Sequence, residues 1–146
     1  MATFSRNVTV NWEGSLMEGK GEAKAGSGAF SLPVSFPRRI GEAQGQTSPE
    51  ELIAAAHASC YAMALNATVG RKGGSIAKTD VTATVTADKG DSGIKITTSK
   101  ITVVAHGLTG IAKDQFAQVA ADAEKGCPVS NALRGSLQIE LDAKAV

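Results

Sequence analysis

Apolar and polar positions along the chain follow two periods. From Phe4 to Trp12, Val8, Val10 and Trp12 alternate with Thr9 and Asn11, which predicts a half-buried strand. Glu13-Gly14 marks a turn. Gly19 to Gly26, where small residues alternate with Lys20, Glu22 and Lys24, predicts the return strand of a hairpin. Ser27 to Gln46 holds Pro33, Pro37, Gly41 and Gly45 and reads as irregular, with Arg38-Arg39 at its centre. Ser48-Pro49-Glu50-Glu51 opens a helix, with serine as N-cap, proline at N1 and Glu51 at N3 of a capping box. Leu52, Ile53, Ala56, Cys60, Met63, Ala64 and Ala67 draw one apolar stripe along it. Gly70, Gly73 and Gly74 end it. The small residues Ala54, Ala55, Ala56 and Ala58 predict burial on more than one side.

Thr79 to Ala87 alternates again, with Val81, Ala83, Val85 and Ala87 on one face. Lys89 to Gly93 is a turn. Ile94 to Ala105 predicts a long strand whose apolar phase slips, from Ile94 and Ile96 to Ile101 and Val103. A bulge near Thr98 to Lys100 reconciles the two phases. A second helix spans about Ala112 to Lys125, with Phe116, Val119, Ala120 and Ala123 inward. Gly126 breaks it, and Cys127-Pro128 begins a short helix to about Leu133. Leu137, Ile139 and Leu141 mark a last strand. Strand runs joined by turns predict antiparallel sheet and an α+β fold, with the first long helix crossing between two sheet portions.

The 146 residues suit a single domain, 1–146, and 42% hydrophobic residues exclude global disorder. Lys plus Arg number 15 against 14 for Asp plus Glu, so the net charge of +1 creates no field for nucleic acid or an anionic membrane. The apolar stretches are expected to fall short of the roughly 20 residues of a membrane span. Met1 to Val10 has no charged-then-apolar leader pattern, so the expectation is a cytoplasmic protein.

Chemistry centres on the only two cysteines, Cys60 and Cys127. Two thiols form neither a disulfide framework nor a closed zinc site. Cys60 lies mid-helix, where desolvation raises a thiol's pKa unless a cation stands close. Arg38 and Arg39, in the loop before the helix, are candidates to supply that cation. Cys127 is placed at a helix N-cap, where free amides and the helix dipole favour a thiolate. Glu50 at N2 is left over from capping. It lies ten positions from Cys60, roughly 15 Å along a straight helix, so it cannot touch that sulfur but could reach an arginine bridging between them or act across a subunit interface. His57, one turn before Cys60, is a candidate base, a metal ligand, or a hydrogen-bonded core residue.

The segment Thr47 to Leu65, with its Ser48-Pro49-Glu50-Glu51 start and its His57-Ala58-Ser59-Cys60 core, resembles the active-site helix of the OsmC branch of the OsmC/Ohr family, the osmotically induced and organic-hydroperoxide-resistance proteins. Lys125-Gly126-Cys127-Pro128-Val129-Ser130 resembles that family's second-cysteine motif, and Trp12-Glu13-Gly14 and Phe36 to Arg39 also fit. The resemblance covers essentially the whole chain. It implies an intertwined homodimer with antiparallel sheets wrapped around central helices and active sites at the interface. It implies a cysteine-based peroxidase for organic hydroperoxides, working in oxidative and osmotic stress defence without a cofactor or metal. Cys60 then matches the peroxidatic cysteine and Cys127 the resolving one. Arg39 matches the arginine before the helix, and Glu50 the glutamate that orients it. The implied reductant is an external dithiol or a lipoylated protein. Two other readings remain beside this one. One is a non-enzymatic stress or small-molecule-binding protein with structural cysteines. The other is a metal module built on His57, Cys60 and Cys127.

Overall fold

A computed structural model describes residues 1–146 and divides them into two compact units, 1–49 and 50–146. The first unit is a three-stranded antiparallel meander of β1 (Val8–Glu13), β2 (Lys20–Ala25) and β3 (Ser31–Val34), in that order. Val8 pairs with Ala25 and Glu13 with Lys20, so the predicted hairpin forms as read. Its turn explains the Trp12-Glu13-Gly14 motif. The Trp12 indole donates to the Gly14 carbonyl at 3.0 Å. A side chain at Gly19 would stand 2.6 Å from the Glu13 carbonyl oxygen and 2.8 Å from the Trp12 ring nitrogen, so only glycine fits there.

Two expectations for this unit need correction. Val8, Val10 and Trp12, read as half-buried, are all exposed. The stretch from Ser27, read as irregular, holds β3 and the five-residue helix α1 (Phe36–Ile40). Pro33 misled the reading. It sits in an edge strand, where a missing N–H leaves no gap in a ladder, and its carbonyl accepts the Thr47 amide at 3.0 Å.

The second unit is almost entirely regular. α2 (Pro49–Arg71) begins at the predicted proline and outlasts Gly70 by one residue. β4 (Lys78–Gly90) and β5 (Gly93–His106) form a long antiparallel hairpin. The phase slip in β5 is resolved as expected. Thr86 pairs with Thr98 and Ala87 with Ile96, leaving Thr97 as the bulged residue, just before the predicted position. α3 (Phe116–Gly126) and α4 (Pro128–Leu133) follow, and β6 (Gln138–Ala145) returns to β5.

The α+β class holds, but one pairing departs from the antiparallel expectation: β6 runs parallel to β5, giving the order β4-β5-β6. The reason is the connection. A tight turn would force an antiparallel return, whereas two helices between β5 and β6 give the chain length enough to come back in the same direction.

The core lies on one face of this sheet. Ile101, Val103 and Ala105 of β5 are fully buried against Tyr61, Leu65 and Val69 of α2 and Phe116, Val119, Ala120 and Ala123 of α3. The inward residues of α3 are those predicted. For α2 the predicted stripe is displaced. The buried line runs through His57, Tyr61, Leu65 and Thr68-Val69, while Ala56, Met63 and Ala67 are exposed. Within the single chain α2 is therefore buried along one side only. The span expectation also needs amending. At 23 residues and a mean hydropathy of 1.3 over its most apolar window, α2 is long and apolar enough to cross a membrane by length and composition. A core helix of this composition meets the same criterion, and the buried side of α2 is tied by polar bonds to β5, α3 and α4.

Candidate active site

α2 carries Cys60 half-buried at the border of the core, and the α3–α4 turn carries Cys127 fully buried within it. Gly126 ends α3, and Cys127 is the N-cap of α4, followed by proline, as predicted. This connection places Cys127 near enough to Cys60 to bear on that thiol's titration, although 66 residues lie between them in sequence. Pro128 has no N–H, so the first amide α4 can offer belongs to Val129. That amide lies near enough to Cys60 to favour its thiolate, whereas the Cys127 side chain caps nothing. The helix-end amide therefore serves the other thiol from the one the sequence suggested.

Burial pushes the Cys60 thiol up from its ordinary value. The Val129 amide opposes that push, and the adjoining Cys127 adds to it. The direction agrees with the expectation for a thiol on a mid-helix core border.

His57 is completely buried one turn before Cys60. Its Nδ1 hydrogen-bonds to Ser99 Oγ and its Nε2 to Ser130 Oγ, each at 2.7 Å. Burial lowers its pKa, against an upward pull from Glu124. With both ring nitrogens engaged by serines, it is the hydrogen-bonded core residue among the three roles considered. No group of three or more His, Cys, Asp or Glu side chains gathers as a cluster able to hold a metal ion.

Two further contacts brace the cysteine turn. Arg134 Nη2 pairs with Glu124 Oε1 at 2.6 Å, and Asn131 Nδ2 donates to the Lys125 carbonyl at 3.0 Å. Below them the Tyr61 hydroxyl donates to the Ala120 carbonyl at 2.9 Å, and burial pushes its phenol far up.

Of the predicted site residues, the structure brings Cys60 and Cys127 together. Glu50 lies in the first turn of α2, about 15 Å along the helix from Cys60. Arg38 and Arg39 lie in the last turn of α1, where their charge complements the helix's negative end. Arg38 also reaches the Glu42 carbonyl at 3.4 Å. Sequence reasoning missed Ser99, Ser130 and the Glu124–Arg134 pair. One signal was present: Ser99 shares the inward phase of Ile101, Val103 and Ala105, and a hydroxyl in that phase must find a partner.

The fold and the paired thiols define an α+β dithiol protein, with one sulfur on a long helix and the other in the turn between two shorter ones. Residues 41–142 match the model of the OsmC-like protein family, and the chain belongs to that family. It is 36% identical over 145 residues to peroxiredoxin OsmC of Escherichia coli (strain K12), covering 98% of this chain and 99% of that protein. It is 26% identical over 145 residues to the organic hydroperoxide resistance protein OhrB of Bacillus subtilis (strain 168), covering 99% and 100%. The crystal structure of an organic hydroperoxide resistance protein OsmC from Legionella pneumophila superposes with a TM-score of 0.73 at 26% identity over 99% of both chains. These kinships support a peroxidase-type role in peroxide-related stress defence.

Proposed function

We propose that the protein is a thiol-dependent peroxidase that reduces organic hydroperoxides in the cytoplasm, and that Cys60 and Cys127 are its reacting pair. The Cys60 thiolate attacks the terminal oxygen of ROOH. The O–O bond breaks, the alkoxide leaves as ROH after taking a proton, and Cys60 becomes a sulfenic acid. The Cys127 thiol then attacks that sulfur, water departs, and a Cys60–Cys127 disulfide remains. An external dithiol, free or as a lipoyl group on a protein, exchanges with the disulfide and restores both thiols. Arg39 supplies the cation that offsets the burial of Cys60 and steadies the departing oxygen. Glu50 orients that guanidinium.

The observation that carries this reading is the meeting of the two thiols. The apolar surroundings of Cys60 favour alkyl or fatty-acyl hydroperoxides, because burying such a chain is worth about 25 cal/mol per Å². The protein acts as a homodimer, a reading supported by the exposed apolar side chains of β1 and the uncovered stripe of α2.

The test is to add one molar equivalent of cumene hydroperoxide to reduced protein, then count free thiols and record the intact mass. Both thiols should disappear with a loss of two hydrogens. Cys127→Ser should consume one peroxide and then stall or overoxidise at Cys60. Survival of both thiols, or turnover by Cys60→Ser, overturns the reading. The complete burial of Cys127 and the upward push on Cys60 favour the second reading, a non-enzymatic protein with structural cysteines. In that case Cys60→Ala and Cys127→Ala change stability alone.

A further inference from the structure

α2 and α4 are joined by two parallel rungs. Cys60 lies near Cys127, and His57 bonds to Ser130 at 2.7 Å. His57 stands three residues before Cys60, and Ser130 three residues after Cys127, so the second rung lies one helical turn from the first. In the proposed mechanism the cysteine rung reacts, and the histidine–serine rung cannot. The imidazole is also held from behind by Ser99 of β5 at 2.7 Å, which anchors the unreactive rung to the central strand. The other braces of the cysteine turn, Arg134–Glu124 and Asn131–Lys125, tie it to α3 and not to the helix that carries Cys60.

We propose that His57, through Ser130, is a positioning residue that holds the Cys127 thiol within bonding range of Cys60 and so sets the rate at which the sulfenic acid is resolved. The inference rests on the peroxidase reading above. Once Cys60 is a sulfenic acid, two fates compete. Attack by Cys127 gives the disulfide and water, whereas a second hydroperoxide oxidises the sulfur to sulfinic acid and is itself reduced to the alcohol. The first fate is intramolecular and depends on how tightly the α4 end is held. The second depends on peroxide concentration. Neither ring nitrogen of His57 has a spare position, and no buried side-chain polar atom in the chain lacks a partner. Cutting the bond at Ser130 therefore leaves a desolvated ring nitrogen that must recover a partner by moving. That movement loosens the turn one helical turn from the reacting sulfurs.

The experiment titrates reduced protein with cumene hydroperoxide and measures disulfide and sulfinic acid by intact mass. It records the rate of the first thiol loss separately. Ser130→Ala should lower the peroxide concentration that half-overoxidises Cys60 by about tenfold, while the first thiol loss stays within about twofold of the parent. Ser99→Ala removes the other bond to the same imidazole without touching α4, and should shift the overoxidation point much less. An unchanged overoxidation point in Ser130→Ala, or equal shifts in the two serine variants, overturns the proposal. Should Ser130→Ala fail to fold, His57→Asn, whose short amide cannot span both serines, is titrated in its place. It should overoxidise more readily, and a parent-like overoxidation point in it overturns the proposal. Failure of the peroxidase reading is separately visible, because the parent protein would then lose no thiols at all.

Discussion

Cys60 is subject to opposed influences. Burial and the Cys127 thiol hold its proton on, and the Val129 amide loosens it. In the proposed mechanism Arg39 supplies the charge that favours the thiolate. Arg39→Gln is therefore expected to slow the reaction with hydroperoxide by about 100-fold, the scale seen when one donor to a developing oxyanion is removed. Its pH–rate profile should also move to higher pH. A rate equal to the parent's, measured by stopped flow, would transfer that role to another cation. The two cysteines proposed to react were legible because each sits in a distinctive string, Ser48 to Cys60 and Gly126 to Ser130. The residues that hold them were not. Ser99 and Ser130 are ordinary serines until the fold sets them 2.7 Å from the same imidazole.

Among the elements, segments with a clear period or a cap were readable, and short ones with neither were not. β4, β5, α3 and α4 lie within a few residues of their predicted bounds, because each shows its period or carries a cap. β3 and α1, with four and five residues, are too short to display a period. The facing of α2 was misread for another reason. Alanine gives almost no contrast between sides, so Met63 and Cys60 outweighed the true core residues, one of which is a histidine.

That histidine gives the elements a dependence on acid. The pKa of His57 is lowered in the folded state, whereas in the unfolded chain it titrates near pH 6.5. Above about pH 6.5 both states hold it neutral and it contributes no slope. Below that, the unfolded chain takes up a proton that the buried ring refuses, so stability falls as pH drops toward the folded pKa. Urea unfolding between about pH 7.5 and pH 5.5 should show this loss, and His57→Asn should show less of it. An equal loss in both would place the acid sensitivity elsewhere.

For the chain as a whole, the notable feature is apolar surface left uncovered. Phe4, Val8, Val10 and Trp12 are exposed near the N-terminus, and Met63 is 73% exposed on α2. Scattered apolar residues are ordinary on a surface, but a strand whose apolar phase faces outward calls for a partner. The expected outcome in light scattering is the mass of two chains at micromolar concentration. Met63→Glu, combined with Val10→Asp, should lower it toward one. A monomeric mass for the parent protein would remove the homodimer from the proposed function.

The amino-acid order alone determined most of the secondary elements and pointed to the two cysteines, since periodicity, caps, breakers and cysteine motifs are local properties. It could not settle which face of an alanine-rich helix turns inward, nor that β6 would lie parallel to β5, because both depend on what a distant segment offers as a neighbour. The meeting of Cys60 with Cys127 and of His57 with Ser130 belongs to the same category. Those distances arise when α2 and α4 both pack onto one sheet face, and burial then compels each polar group there to find a partner.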